Sequence, residues 1–435
     1  MTLRASRSRR ITRLASIATI AAFAATIAGC SSDPASSTDV TLWGITSDQE
    51  EILDPSLADW NSANSDSPIA ASFFEGEAYK TKIRTALGAG AGPTLIYNKG
   101  GGILDSYVEA GKVVDLTSEF AGTSEGFLPF ALEPATVDGA LYAIPMKAVA
   151  PVVMYYNEDV LDSVGLTPPT TWDELLEAVT VLRDADIAPF ALAGGSKWPE
   201  LMWQEYLVDR IGGPEVFDAI LAGEDDAWSH PAILEANTLI QDLVEAGGFA
   251  DGFSSVTTDS SADAALLYTG KAAMLLQGTW VNSTFRSQAP EFADSSLGYG
   301  TFPSVEGGVG DVANIVGNPT SYFSVSADAS PQQQASAIEY LKSGLWDDAF
   351  VDRLVTANQV PPLVGIDDKI AESEDATFSG LVYELISEAP NFQMSWDQAL
   401  EPAQSQALLT NLDRLFTLAI TPEEFSEAMN KDAGA

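Results

Sequence analysis

Short apolar runs alternate with longer amphipathic stretches over the first quarter of the chain. Apolar runs of strand length occupy residues 39–45, 68–74 and 93–98. A segment with helical spacing follows each run, at residues 49–62, 78–88 and 102–117. Strands that alternate with helices in this way predict an α/β unit, so we expect a parallel, doubly wound first lobe.

The pattern changes at residues 141–157, a long apolar stretch that contains Pro145 and Pro151. Proline donates no ladder hydrogen bond, so one strand through both prolines is not expected. A crossing of the chain between two lobes fits better. A helix then begins after Thr171, with Glu174 three residues later as in a capping box, and a further strand is predicted after Pro189.

A third feature is the segment GKAAMLLQGTW at residues 270–280. Its run Ala-Ala-Met-Leu-Leu predicts a strand that is buried on both faces, as in a sheet covered by helices on both sides. Ligands of open α/β sheets bind outside the carboxyl ends of the strands, which is where Trp280 would lie. Trp280 is therefore a candidate ligand contact, and a plug between helix and sheet is the alternative.

The amino-acid composition excludes several kinds of ligand and binding site. The 435 residues are 46% hydrophobic and 19% charged, which is enough for two lobes with separate cores. The net charge of −41 disfavours nucleic acid and favours a neutral ligand. With one His and one Cys, the chain lacks the residues for a Cys₂His₂ zinc site, a structural disulfide or a Cys–His nucleophile pair. We expect no metal and no cofactor, and we place His230 at a helix start.

The N-terminus has the features of a secretory signal. A basic segment and 15 apolar residues precede IAGC, so residues 1–29 are predicted to be a signal peptide. IAGC resembles the bacterial lipobox, which implies acylation of Cys30 and anchoring to the outer face of the cell membrane. Residues 30–39 are polar and suit a tether. An ordinary signal with a chance Cys is the alternative, and Sec and twin-Arg export both stay open.

Three motifs in order along the chain resemble the extracellular solute-binding proteins of carbohydrate ABC importers, the family that includes the maltose-binding protein. They are the stretch that begins YAIPMKAVAPVVMYYN at residue 142, GKAAMLLQGTW, and TPEEFSEAMN at residues 421–430. The resemblance spans essentially the whole chain after the signal. One departure is Thr94, where the family usually has Asp.

The resemblance implies a two-lobed α/β fold of the periplasmic-binding-protein type (type II), each lobe a sheet flanked by helices, joined by a hinge of several crossings. The expected N-terminal lobe comprises residues 40–146 and 319–359, and the C-terminal lobe comprises residues 150–312 and 363–435. The hinge crossings are expected near residues 145–151, 312–320 and 358–363.

A sugar ring has apolar faces and a rim of hydroxyls, so its site needs aromatic rings beside polar groups. By resemblance to the family, Trp198, Trp280 and Trp396 are candidate stacking residues, with Asp397 beside the last. Filling of the core is the alternative for each, and it is the stronger interpretation for Trp60, Trp172 and Trp203.

Polar partners are expected where strands end and where the chain crosses between lobes. These candidates, each with a helix cap or a solvated loop as the alternative, are Ser47, Asp48, Gln49, Glu75, Asn98, Lys99, Lys147 and Asn318. The glycines at residues 98–102 either let the main chain approach a ligand or form a flexible turn.

The sequence therefore predicts a monomeric, lipid-anchored protein that captures a neutral mono- or oligosaccharide between two lobes and delivers it to the permease of an ABC importer. Enclosure of the ligand would be a conformational change without chemistry. A binder of a polyol, a peptide or another small solute is the alternative on the same fold. A secreted carbohydrate-active enzyme is the alternative from another class, since it would also need acidic residues and cleft tryptophans.

Overall fold

Two separate β-sheets organise the part of the chain that the computed structural model describes, which is residues 40–48, 52–122 and 124–433. These residues fall within one compact unit, Thr38–Ala435. The predicted signal peptide, Cys30, the tether at residues 30–39 and the candidate Gln49 lie outside the described residues.

Thirteen strands are present in the described ranges. They are β1 Val40–Ile45, β2 Ile69–Phe74, β3 Leu95–Asn98, β4 Thr136–Val137, β5 Ala140–Leu141, β6 Ile144–Pro145, β7 Ala150–Asn157, β8 Ala188–Ala191, β9 Ala272–Gly278, β10 Leu297–Gly300, β11 Ile315–Asn318, β12 Tyr322–Val325 and β13 Phe392–Met394.

Twenty α-helices accompany them over the same ranges. They are α1 Asp54–Ala63, α2 Gly76–Gly88, α3 Gly101–Glu109, α4 Thr117–Phe120, α5 Pro129–Leu132, α6 Glu158–Ser163, α7 Trp172–Asp184, α8 Trp198–Gly212, α9 Glu215–Leu221, α10 Pro231–Glu245, α11 Ala262–Tyr268, α12 Val281–Gln288, α13 Pro290–Ser295, α14 Pro331–Ser343, α15 Asp348–Thr356, α16 Asp367–Ala371, α17 Ala376–Glu388, α18 Trp396–Ala399, α19 Pro402–Phe416 and α20 Pro422–Ala433.

The first sheet has the strand order β2-β1-β3-β12-β6. Its first three strands are parallel to one another, which confirms the doubly wound start predicted from the alternation of strands and helices. Strand β12 joins antiparallel to β3, so the complete sheet is mixed. The third helix, α3, is shorter than predicted, because Gly111 takes a positive φ of 63° two residues after its end.

The second sheet has the order β13-β11-β7-β9-β8, with β10 paired to β7. Strands β7 and β9 are buried at every position, which confirms the two-sided burial predicted for residues 272–276. Met274 and Leu276 pack into one apolar cluster, and Leu275 packs into another on the opposite face. Both faces are therefore covered, because successive side chains of a strand point in opposite directions.

Capping residues that were predicted from the sequence stand at the starts of two helices. Thr171 and Glu174 form the predicted capping box at the start of α7, with both reciprocal hydrogen bonds present. His230 caps α10, since its side chain accepts a hydrogen bond from the main-chain N–H of Ala232, 3.2 Å away. Both observations confirm the predictions for these residues.

The chain passes from one sheet to the other at three described places. It leaves the first sheet after Pro145 and enters the second at Ala150, so the two prolines lie in different strands. It returns between Asn318, which still pairs in the second sheet, and Tyr322 of the first. The third passage runs from β12 to β13, and it contacts the first one, because the main-chain oxygen of Val360 accepts a 2.9 Å hydrogen bond from the Val149 N–H.

Candidate functional site

A cavity of about 780 Å³ opens between the two sheets. Its first-sheet side is lined by residues that follow β1 and β3, and its second-sheet side by residues that follow β9 and β11. The cavity thus lies at the carboxyl ends of strands, as expected for ligand sites in α/β sheets. It is large enough for a small organic ligand.

Two indole rings form one wall of this cavity. Trp280 is 38% exposed, and Trp198 at the start of α8 is partly buried. Their ring centroids are 5.8 Å apart with an interplanar angle of 61°, an edge-to-face arrangement. The pair therefore presents two differently oriented aromatic surfaces to the cavity.

Gly278 explains how Trp280 reaches this position. A Cβ at Gly278 would lie only 2.1 Å from two atoms of the Trp280 ring. The indole therefore folds back over the end of β9, and only a residue without a side chain leaves room for it. The glycine in Gly-Thr-Trp serves the placement of the indole.

Opposite the indoles, Asp48 and Lys147 form an ion pair. Lys147 Nζ lies 2.7 Å from Asp48 Oδ1, and the Asp48 side chain is only 2% exposed. The second carboxylate oxygen, Oδ2, is buried and has no hydrogen-bond partner among the described residues. A buried acceptor without a partner is costly, which marks this carboxylate as an incompletely satisfied group beside the cavity.

Lys99 lies beside this pair, on the turn after β3. Its Nζ donates a 3.0 Å hydrogen bond to Ser321 Oγ and lies 5.4 Å from the centroid of the Tyr97 ring. Burial lowers the pKa of Lys99, while Asp48 and Asp397 partly offset that effect. Ser321 also lies 3.0 Å from the Tyr97 hydroxyl, which orders this corner of the cavity.

A third polar group comes from the second sheet and the helix that follows β13. Gln398 Nε2 donates to Asn318 Oδ1 at 2.6 Å, and Ser395 Oγ donates to Asp397 Oδ1 at 3.0 Å. All four residues line the cavity. Amide, hydroxyl and carboxylate groups are thereby held close together on one wall, ready to donate to and accept from a polyhydroxylated ligand.

The structure brings eight of the predicted site residues together at the cavity. They are Ser47, Asp48, Lys99, Lys147, Trp198, Trp280, Asn318 and Asp397. Trp60, Trp172 and Trp203 are buried in the two cores, which confirms the core interpretation for these three.

Three other candidates lie elsewhere. Trp396 is fully buried and stacks on Phe217 with centroids 4.5 Å apart, so no face of its ring reaches the cavity. Asn98 is buried and accepts from the Gly100 N–H at 2.9 Å, an internal role that holds the glycine turn. Glu75 is exposed at the residue before α2 and is not part of the cavity lining.

Several cavity residues were not predicted. Thr279 and Asn282 flank Trp280, and their place at a strand end followed by a helix could have identified them. Arg286, one turn further on, forms ion pairs with Asp294 and Asp375. Residues 356–360, from the third stretch between the sheets, overlap the crossing that the resemblance places near residues 358–363, but no local pattern identified them as site residues.

The described residues contain neither a membrane-spanning helix nor a metal-binding cluster. No helix there is both long and apolar enough to span a membrane. No group of three or more His, Cys, Asp or Glu side chains is placed to hold a metal ion in the same part of the chain.

Comparison with known proteins identifies the class. The family model described as bacterial extracellular solute-binding protein matches residues 46–343, more than half of the chain. The chain therefore belongs to the bacterial extracellular solute-binding proteins, which confirms the resemblance carried by its motifs.

Curated relatives are distant. A probable sugar-binding periplasmic protein of Mesorhizobium japonicum is 28% identical over 66% of each chain. An uncharacterised ABC transporter extracellular-binding protein of Pyrococcus horikoshii is 24% identical over 54% of this chain and 52% of its own. The chain thus spans between about half and two thirds of the length of these two relatives.

Solved structures match over nearly the whole chain. A protein solved in work on xylan utilisation by the thermophilic bacterium Caldanaerobius polysaccharolyticus has a TM-score of 0.80 and 27% identity, over 90% of this chain and 99% of its own. A chitin oligosaccharide binding protein has a TM-score of 0.81 and 24% identity, over 91% and 98%. These likenesses confirm the predicted two-lobed α/β fold.

Proposed function

We propose that this protein captures a neutral mono- or oligosaccharide in the cavity between its two sheets and delivers it to the permease of an ABC importer. The observation that carries the proposal is the pair formed by Trp198 and Trp280 opposite the Asp48–Lys147 ion pair. Aromatic rings suit the apolar faces of a sugar, and the polar groups suit its hydroxyls.

The charges within the cavity support a neutral ligand. Asp48 is already paired with Lys147, so the pair needs no charged ligand for its neutrality. The pair fixes the carboxylate, and a ligand hydroxyl could bind its second oxygen, Oδ2, only after a local movement exposes that atom. The relative in Mesorhizobium japonicum and the chitin oligosaccharide binding protein are named for sugars, which favours the same ligand class here.

Capture would require the two lobes to move. In this proposal the N-terminal lobe comprises residues 40–146 and 319–359, the C-terminal lobe comprises residues 150–312 and 363–435, and the connections between them act as a hinge. A sugar that touches both walls stabilises the closed form, because only that form makes both sets of contacts.

The location follows from the sequence before residue 40. We propose that Cys30 is acylated and that residues 30–39 tether a monomeric domain to the outer face of the cell membrane. Replacement Cys30→Ala should release the protein into the medium or block its maturation. Unchanged membrane association of the variant, measured by fractionation and immunoblotting, would contradict the anchor.

A thermal-shift screen of the purified protein tests the ligand class. Maltotriose, xylotriose and chitotriose serve as the sugar probes, and sorbitol and a tripeptide represent the alternative solutes. A ligand at one hundred times its Kd should stabilise the folded protein by about 2.7 kcal/mol. Stabilisation by the tripeptide or sorbitol, with no response to any sugar, would replace the proposal by its alternative.

Turnover separates a binding protein from a carbohydrate-active enzyme. The sugar that binds is incubated with a high concentration of protein, and the products are followed by chromatography. We expect the sugar to stay intact, because the proposed mechanism breaks no bond. Cleavage that is lost in Asp48→Asn or an equivalent variant of the cavity would assign an enzymatic role instead.

A further inference from the structure

Ser395 connects a buried carboxyl group to the wall of the cavity. Its Oγ lies 2.9 Å from Glu205 Oε1 on one side and 3.0 Å from Asp397 Oδ1 on the other. Ser395 and Asp397 line the cavity, whereas Glu205 on α8 has no exposed surface. The three residues form a chain of oxygen atoms that leads from the protein interior to the ligand site.

The number of hydrogens on Glu205, Ser395 and Asp397 determines which hydrogen bonds these three residues can form. A serine hydroxyl has one hydrogen, and an ionised carboxylate has none. If Glu205 and Asp397 are both ionised, Ser395 can donate to only one of them. If Glu205 is protonated, it can donate to Ser395 Oγ while Ser395 donates to Asp397. With one additional proton, the Ser395–Glu205 and Ser395–Asp397 contacts can therefore both be hydrogen bonds.

The surroundings of Glu205 favour that proton. Oε1 also accepts a 2.6 Å hydrogen bond from the Trp396 N–H, and Oε2 is buried without a partner in the described part of the chain. No cation forms an ion pair with Glu205 among the same residues, since Arg210, one turn further along the helix, is paired with Asp209 at 2.6 Å. Burial accordingly raises the pKa of Glu205 to about 8.

The titratable groups that face Glu205 act in the same direction. Asp397 from α18 is the carboxylate of a neighbouring element that acts on it, and its negative charge opposes ionisation of Glu205. Tyr206, the next residue on the same helix, has its own pKa raised to about 12 by burial and stays neutral throughout the pH range considered. The hydrogen bonds from Trp396 and Ser395 to Oε1 favour the ionised form of Glu205, but burial and the charge of Asp397 outweigh them.

We propose that Glu205 is a positioning residue that holds a proton when ligand is bound, fixes Ser395 and Asp397 through the hydrogen-bond chain, and so couples sugar capture to protonation. This inference rests on the proposed function. Ionisation of Glu205 draws the Ser395 hydrogen away from Asp397 and places two negative charges close together. Ligand affinity then falls as the pH rises through 8, and binding at that pH takes up a proton.

Calorimetry of the purified protein tests the coupling, with whichever of maltotriose, xylotriose and chitotriose binds as the probe. We expect the wild-type affinity to fall about three- to tenfold between pH 6.5 and pH 9, by proton linkage. Measurements at pH 8 in two buffers of different ionisation enthalpy should reveal proton uptake. In Glu205→Gln both effects should vanish, because the side chain no longer titrates. Its amide oxygen can accept from the Trp396 N–H but cannot donate to Ser395, so the affinity should be lower than that of the wild type at pH 6.5 and should not change with pH.

Glu200→Gln is the matched control. Glu200 is a second buried glutamate on α8 whose pKa burial raises to about 9, and the hydrogen bonds of Ser395 to carboxylates in the described residues go to Glu205 and Asp397 instead. This variant should keep the pH dependence and the proton uptake of the wild type. Equal pH dependence in the wild type and Glu205→Gln, or its loss only in Glu200→Gln, would overturn the inference.

A second measurement needs no ligand. Carboxyl ¹³C NMR of glutamate-labelled protein should contain a signal that titrates near pH 8 and is absent from Glu205→Gln. Titration of Glu205 below pH 6 would overturn the inference. If none of the three sugars binds, the sugar-binding proposal fails, and this titration by itself decides whether Glu205 holds the proton.

Discussion

At the scale of single residues, the burial of each tryptophan separates a role in binding from a role in the core. Trp280 is 38% exposed at the cavity, whereas Trp396 is completely buried between Phe217 and Trp228. Both come shortly after a strand and stand at the start of a helix, so local sequence does not distinguish them. The partners that bury Trp396 come from residues about 170 positions earlier in the chain.

Trp280→Ala and Trp396→Ala should therefore have opposite effects. Loss of the exposed indole should weaken sugar binding by on the order of 2 kcal/mol, about thirtyfold, with little change in the stability of the ligand-free protein. Loss of the core indole should lower the free energy of unfolding by about 3–5 kcal/mol. Calorimetric affinity and urea denaturation measure the two effects. Preserved affinity with a large loss of stability in Trp280→Ala would assign this residue to the core.

Gly278→Ala tests the route by which Trp280 is placed. The added methyl would collide with the indole, since the Cβ position lies 2.1 Å from ring atoms, so the ring must leave its position. Affinity should fall by about as much as in Trp280→Ala, and the double variant should be no weaker than Trp280→Ala, because residues in contact are not additive. Additive losses in the double variant would contradict this link between glycine and indole.

At the scale of elements, the predictable parts are those with a local cause. Strands β1, β2, β3 and β9 follow from apolar runs, and the start of α7 follows from Thr171 and Glu174. Residues 356–360 reach the cavity through long-range packing, and that contact leaves no mark in their own sequence. Asn98 illustrates the same limit, because its burial depends on β12, more than 220 residues later, where Ser324 accepts its hydrogen bond.

The buried Glu200 of helix α8 should make the free energy of unfolding depend on pH. Burial raises the pKa of Glu200 from 4.5 to about 9, and neither carboxyl oxygen has a hydrogen-bond partner among the described residues. Between these two values the folded state binds more protons than the unfolded state, so ionisation opposes folding and stability falls as the pH rises. Urea denaturation at pH 5 and pH 9 should show this fall.

The variant Glu200→Gln isolates this contribution. At pH 5 both proteins carry a neutral side chain in the folded state and should be similarly stable. At pH 9 the variant should be more stable by on the order of a few kcal/mol, because it has no carboxyl group to ionise. A variant that loses stability with pH as steeply as the wild type would show that Glu200 is already ionised at neutral pH.

At the scale of the whole molecule, the cavity depends on two sheets that the chain visits alternately. Strand β12 returns to the first sheet after β11 has joined the second, so each sheet contains strands from distant parts of the sequence. The residues of one cavity wall can therefore move together relative to the other wall while each sheet stays intact. Asn318, which accepts a hydrogen bond from Gln398, lies at one of these connections.

Small-angle scattering provides the test of such a movement. With saturating sugar, the radius of gyration of the purified protein should decrease, because the closed form brings the Trp198–Trp280 wall towards Asp48 and Lys147. Trp280→Ala is the control: at a concentration that saturates the wild type but not the weaker variant, the decrease should be smaller, and more sugar should restore it. A radius that stays constant despite calorimetric saturation would mean that the sugar enters a cavity already in its final form. The hinge would then have no part in capture, while the assignment of the cavity as the sugar site would stand.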